Sequence, residues 1–331
     1  MLSAFSRFGG LVAARVLRPS SGTAPAVGLG IGFVVLAFLL YSSMDMMVKL
    51  LSTGYPIHQM LFFNALFALL PIAFAVWRTG GVRLLRTRRP AGHLLRGAFG
   101  MAASFAAMSA FSLMPMADVY AILFATPLLV TALSVPLLGE QVGWRRWSAI
   151  IVGFAGVMIM LDPGQSTIGP GSIAALIAAM LASLSVVMVR KLSVTESTGS
   201  IALYSNLLIV VAMGAWLLID FRPMPLADLA LAGVAGMAGG CALLALIGAY
   251  RRAAAAIIAP FQYSQMIWGV VFGFLVFGDL PTAGVVLGSA IVVASGLYII
   301  HRELTLARQT RTIAADQPPL APAAGAPVQP A

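Results

Sequence analysis

Polar residues along this chain come in short clusters, and the stretches between them are almost wholly apolar. Ten such stretches are present, at 28–50, 57–77, 94–113, 117–138, 145–161, 170–189, 198–219, 227–249, 254–277 and 282–300. Most approach the ~20 residues that a helix needs to cross a bilayer core. They lack the strict alternation of a barrel strand. A backbone in lipid has to satisfy its own hydrogen bonds, so each stretch predicts a membrane-spanning helix.

Two of the stretches repeat a pattern. Residues 120–142 read YAILFATPLLVTALSVPLLGEQV, and residues 259–281 read APFQYSQMIWGVVFGFLVFGDLP. Both place polar or aromatic residues early and close on glycine then acid, Gly139-Glu140 and Gly278-Asp279. Counted back from those glycines, Phe124 and Tyr263 fall at corresponding places. The chain divides near Gly164–Gly171 into two sets of five spans. Five is odd, so the second set is expected to lie upside down relative to the first, as in transporters that rock two inverted repeats about a central site.

Charge fixes an expected orientation. With the amino terminus inside, every basic residue of the 20 falls on the cytoplasmic side except Lys49 and Arg222. Both termini are then cytoplasmic. The expected organisation is a cytoplasmic tail at 1–27, a first repeat at 28–163, a second at 164–303, and a disordered Pro/Ala-rich cytoplasmic tail at 304–331. Residues 1–26 carry Arg7, Arg15 and Arg18 without a continuous apolar core, which argues against a cleaved signal peptide.

Composition agrees with a membrane protein. Hydrophobic residues are 60% of 331 and charged residues 9%, against about 25% charged in a soluble domain. The net charge of +10 does not point to nucleic acid, because the basic residues punctuate the apolar runs. The single cysteine, Cys241, excludes an internal disulfide and a cysteine metal cluster, and reads as a small buried hydrophobe. No metal and no cofactor is expected.

The order and spacing of these features resemble the drug/metabolite transporter superfamily, specifically its EamA group. The resemblance is carried by LLRGAFGMAASFAAMSAFSLMPMADVYAILFATPLLVTALSVPLLGEQVGWRRWSAIIVGFAGVMIM and by AYRRAAAAIIAPFQYSQMIWGVVFGFLVFGDLPTAGVVLGSAIVVASGLYIIHRE, and it covers residues 28–303. It implies transport of a small organic molecule across a bacterial inner membrane. The P-F-x-Y of the ninth span and the GLY-x-x-x-RE of the tenth are similar to the subgroup that includes S-adenosylmethionine and riboflavin importers. Riboflavin is the first specific expectation. S-adenosylmethionine, or an amino acid or other metabolite carried in or exported, is the alternative. The resemblance leaves monomer and homodimer both open.

Polar residues inside a bilayer are costly and are functional candidates by default. In YSSMDMMVKL, Asp45 and Lys49 stand four apart on one helix face and are expected to pair with each other, as a coupling or gating device or as simple neutralisation. In the ninth span Pro260 is expected to break the helix and free backbone groups. Gln262 and Tyr263 follow as substrate-binding candidates, with Gln265 and Trp268 beyond. Tyr120 and Phe124 accompany them from the fourth span, and Phe124 with Tyr263 is expected to sandwich a planar ring. Asn64 and Ser104 are further lining candidates, with Ser109, Tyr204, Asn206 and Tyr250 behind them. The site is expected near the bilayer midplane, between the first, third, fourth, eighth and ninth helices. A membrane enzyme or a lipid-handling scaffold is the rival reading. His58, His93 and His301 sit at loop edges on separate segments, which does not suit a catalytic cluster.

Overall fold

The computed structural model describes residues 24–79, 81, 87, 89–140, 143–161, 169–193, 195–253 and 255–316. Most of the expected divide near Gly164–Gly171 and most of the basic loop between the second and third spans lie outside the described residues, as do the ends of both expected tails. Among the described residues the protein is all-helical, with ten helices long and apolar enough to cross a membrane: Val27–Leu51, Ile57–Arg78, Pro90–Leu113, Met116–Leu138, Trp144–Leu161, Pro170–Leu192, Gly199–Leu217, Leu226–Arg252, Pro260–Phe277 and Ala283–Arg302.

Two boundaries differ from expectation in an informative way. The third span begins at Pro90, whose fixed φ suits a first helical turn. It therefore takes in His93, which the expected span 94–113 leaves out, and sets Arg96 six residues inside the helix. The last helix runs on to Asp316, so the tail expected to be disordered from residue 304 begins as helix.

The ninth span is interrupted where Pro260 sits. A short helix Ala255–Ile258 gives way to a 3₁₀ segment Ala259–Tyr263, then to α-helix Ser264–Phe272 and a π segment Gly273–Phe277. The fourth span is interrupted too, which the sequence reading did not expect. Met116–Leu123 and Thr126–Leu138 are separate helices, and the break at Phe124 and Ala125 precedes Pro127. A proline removes one backbone donor and clashes with the preceding turn, so both breaks have the same cause.

The repeated glycine-acid pairs close these two spans in one geometry. Gly139 and Gly278 are left-handed, with φ of 71° and 73°. Each donates its N–H four residues back, to Val135 O and Phe274 O, and each following acid donates six back, to Ser134 O and Gly273 O. Glycine takes this conformation without the Cβ penalty that other residues incur.

Helix packing uses small residues. The eighth span buries Gly233, Gly236, Gly239 and Gly240, and it lies against the first and second spans. The third lies against the sixth and seventh, the second against the seventh, and the fifth against the tenth. The fourth packs on the sixth as the ninth packs on the first. Bulky apolar side chains such as Trp77 and Leu275 face outward, toward lipid. Cys241 is also exposed, contrary to the expectation that it is buried. Lipid offers helices little hydrophobic drive to associate, so close backbone approach does the work. At the crossing of the fifth and tenth spans, a Cβ on Gly288 would fall 2.5 Å from the Gly156 carbonyl oxygen. Gly288→Ala is expected to destabilise the detergent-purified protein by about 1–3 kcal/mol, the usual range for overpacking. An unchanged melting temperature would show that this crossing can spread freely.

Candidate functional site

The two interrupted helices face a cavity of about 310 Å³, lined by Gln262 and Gln265 from the ninth span and by Phe124, Thr126 and Pro127 from the fourth. Ser104 of the third span completes one wall, and Ala178 and Ala182 of the sixth another. A second cavity of about 220 Å³ adjoins it, sharing Ser104 and Ala107. Its polar lining is Tyr41 and Asp45 from the first span, Asn64 from the second and Asn206 from the seventh. Helix-borne carboxylate, amide and hydroxyl groups thus converge between helices, the usual place for a ligand in a bundle. The second and seventh spans contribute alongside the expected first, third and eighth, and the sixth contributes alongside the expected fourth and ninth.

The structure therefore brings Gln262, Phe124 and Ser104 together, and brings Asp45, Asn64 and Ser104 together. Tyr120 is buried and touches neither cavity directly. Its hydroxyl donates to Asp45 Oδ2 at 2.7 Å, which holds that carboxylate in place. Trp268 stacks on Phe272, with ring centroids 6.5 Å apart, and lines neither cavity.

The expected pairing of Asp45 with Lys49 is not formed. Lys49 Nζ instead donates to Asp279 Oδ2 at 3.1 Å and to Met114 O at 2.9 Å, and it sits 4.7 Å from the Phe277 ring centroid. The acid of the second glycine-acid pair is its partner. Helical spacing of four only permits a pair. Here three groups from elsewhere in the fold compete for the ammonium and win. Asp118 lies within electrostatic reach of both Lys49 and Asp279. At the other glycine-acid pair, Glu140 meets Arg190 of the sixth span at 3.6 Å.

The expected aromatic sandwich is closed. Phe124 and Tyr263 meet edge to face, with centroids 5.0 Å apart and planes at 88°, so they pack on each other and leave no slot between them. Edge-to-face contact is a preferred aromatic geometry and needs no ligand. The Tyr263 hydroxyl is wedged against Gly296 of the tenth span, where a methyl group would collide with it. That hydroxyl has no well-formed hydrogen bond among the described residues, and only the Gln262 amide answers it, at looser geometry. Tyr263→Phe is accordingly expected to leave transport unchanged and to alter stability by less than about 1 kcal/mol. Loss of transport in that variant would place the hydroxyl on the ligand after all.

Sequence reasoning missed Arg96, Asp118 and the long-range partner of Lys49. Arg96 has a legible signal: Arg96, Gly100 and Ser104 form a stripe at helical spacing that leads from the helix start to the cavity wall.

The sequence profile of the EamA-like transporter family matches residues 28–162. An S-adenosylmethionine uptake transporter of Rickettsia bellii is 29% identical over 284 residues, spanning 83% of this chain and 94% of the relative. A riboflavin transporter of Vibrio cholerae is 33% identical over 242 residues, spanning 72% of this chain and 80% of the relative. A pseudopaline exporter of Pseudomonas aeruginosa is 25% identical over 268 residues, spanning 80% of this chain and 94% of the relative. A solved crystal structure shares the fold, with a TM-score of 0.55 at 22% identity over 82% of this chain and 94% of the other. The family profile lies in the first half, the relatives cover 72–83% of the chain, and the ten apolar helices agree with them. The chain therefore belongs to the EamA-like transporter family, as a small-metabolite transporter that passes many times through the bacterial inner membrane.

Proposed function

We infer that this transporter carries a small organic cation of the S-adenosylmethionine kind, as a carrier and not an enzyme. The observation that supports this most is Asp45. A carboxylate within the bilayer calls for a positive partner. Among the described residues Asp45 forms no ion pair, because Lys49 is committed to Asp279. Tyr120 holds one carboxylate oxygen and the other is left for the cavity. A mobile cation, either the sulfonium of a substrate or a proton, completes the site. The likeness to the Rickettsia bellii uptake transporter over most of both chains points the same way.

Alternating access is the proposed mechanism. Residues 28–163 and 164–303 form two repeats, inverted in the membrane, with both termini cytoplasmic. Shifting each span by five turns the packing of the first on the eighth into that of the sixth on the third. The same shift turns the ninth on the first into the fourth on the sixth. It also turns the Lys49–Asp279 pair into the Arg190–Glu140 pair. One ion pair then closes each end of the bundle, and the breaks at Phe124 and at Pro260 let the fourth and ninth spans hinge beside the cavity. Discontinuous helices at the centre are the usual site of binding in inverted-repeat carriers.

A second reading is riboflavin. It is favoured by the 33% identity to the Vibrio cholerae transporter, and Phe124 and Gln262 offer an aromatic surface and an amide in the larger cavity. Counterflow in proteoliposomes separates the readings. Vesicles loaded with unlabelled S-adenosylmethionine are expected to accumulate the labelled compound transiently and to return it chemically unchanged. Counterflow of riboflavin alone would replace the first reading with the second. Chemical alteration of the solute, or no counterflow of any metabolite tried, would overturn the carrier reading.

A further inference from the structure

Arg96 sits six residues beyond the start of the third span, about 9 Å along the helix. An arginine so placed ordinarily stretches its stem outward and keeps its head in the interfacial water. Here it turns the other way. Its guanidinium hydrogen-bonds the hydroxyl of Ser205 on the seventh span. One of its terminal nitrogens lies 3.9 Å from where a Cβ on Gly100 would stand, one turn deeper into the membrane. The guanidinium thus lies alongside Gly100, and the next residue on that stripe, Ser104, lines both cavities.

Two residues near this charge, one next in sequence to its partner and one close in space, line the cavity. Asn206, beside Ser205, lines the Asp45 chamber. Tyr41 lines it too and is within electrostatic reach of Asp45 and of Arg96. Arg96 Nε is shielded from solvent and has no hydrogen-bond partner among the described residues. No carboxylate among the described residues forms an ion pair with Arg96, so one face of a planar donor fork is unmatched. A guanidinium fits a carboxylate with two parallel bonds, which a lysine cannot do.

Arg96 itself stands behind the cavity lining, two helical turns before Ser104. We propose that Arg96 is an anion subsite reached from the Asp45 chamber, so that the transported molecule is a zwitterion with its cation on Asp45 and its carboxylate on Arg96. This rests on the carrier reading above and narrows its substrate class. It also accounts for an arginine turned inward, which membrane orientation alone does not require.

The test compares two probes that differ only at the carboxylate, S-adenosylmethionine and its decarboxylated analogue, with riboflavin as a third. Inhibition constants are measured in counterflow with wild type, Arg96→Gln and Arg96→Lys. Wild type is expected to favour the carboxylate-bearing probe by about tenfold or more, the worth of one charge-assisted hydrogen bond. Arg96→Gln is expected to bring that ratio to about one, and Arg96→Lys to an intermediate value, because the ammonium keeps the charge and loses the fork. A general loss of activity with the ratio preserved would make Arg96 structural and overturn the proposal. A wild-type ratio near one would do the same. If Arg96→Gln does not fold, an unchanged ratio in Arg96→Lys overturns it. Counterflow of riboflavin with neither sulfonium probe would overturn the zwitterion assignment while leaving the carrier reading intact. Counterflow of none of the three would remove both.

Discussion

Asp45→Asn is expected to slow S-adenosylmethionine counterflow by about 10- to 100-fold, from the loss of one hydrogen bond to a charged group at about 1.5–3 kcal/mol. The substitution is nearly isosteric. Its side-chain oxygen still accepts from the Tyr120 hydroxyl, which now meets Asp45 Oδ2 at 2.7 Å. The melting temperature is therefore expected to hold within a few degrees, and the protein to reach the membrane in normal amount. Separating transport from folding in this way is the point of choosing asparagine. Tyr120→Phe makes a contrast, because it leaves the charge and removes only its anchor. It is expected to cost transport about fivefold, or ~1 kcal/mol, below the ~1.5–3 kcal/mol of a full bond to a charged group because the charge itself remains. Wild-type counterflow in Asp45→Asn would show that the carboxylate meets neither substrate nor proton, and the cation reading would fall with it.

The bilayer made much of this fold legible in the sequence. Lipid permits few backbone solutions, so apolar length alone located the ten spans to within a few residues at most ends. The ninth-span break was legible because Pro260 stands among polar residues at the start of that span. The fourth-span break was not, although Pro127 stands beside it, because a proline near a helix start is also compatible with an unbroken helix. Candidate residues fared by a different rule. Ser104, Asn64, Asp45, Phe124 and Gln262 reach the cavities because helical spacing put them on inward stripes. Tyr263 sits within the same span as Gln262 and points elsewhere, into Gly296, since neighbours on a helix diverge in direction. Partner choice was the least legible part. Lys49 has an acid four residues before it, yet bonds one 230 residues later, because the ninth span ends beside it in space. Arg96 was hidden by the charge rule that oriented the chain. Counting it among the expected cytoplasmic positives speaks to topology alone and is silent about which way the side chain turns.

The Lys49–Asp279 pair gives the second large effect. Lys49→Asp and Asp279→Lys are each expected to reduce counterflow by about 30-fold, and the double exchange to recover much of that loss. The side chains are 13% and 33% exposed, so the pair lies between a buried bridge and a surface one. Breaking a buried pair costs about 3–5 kcal/mol and a surface pair about 0–1, which places this one near 2 kcal/mol. Lys49→Asp has a further penalty, since it sets a new carboxylate beside Asp279 and within reach of Asp118. Recovery in the double exchange stays incomplete, because a lysine at 279 no longer meets the Met114 carbonyl or the Phe277 ring as Lys49 does. The corresponding pair at the other end, Arg190 and Glu140, is 50% and 46% exposed and is more open to screening. Its exchanges are expected to change counterflow by less than about fivefold. The asymmetry follows from the proposed alternating access. A pair that closes one end holds the cycle only as firmly as it is shielded from water, and loss of the firmer one shifts the population toward a single conformation. Counterflow needs both conformations. Equal and small effects at the two ends would make both pairs surface decoration and leave the closing of the bundle to helix packing alone.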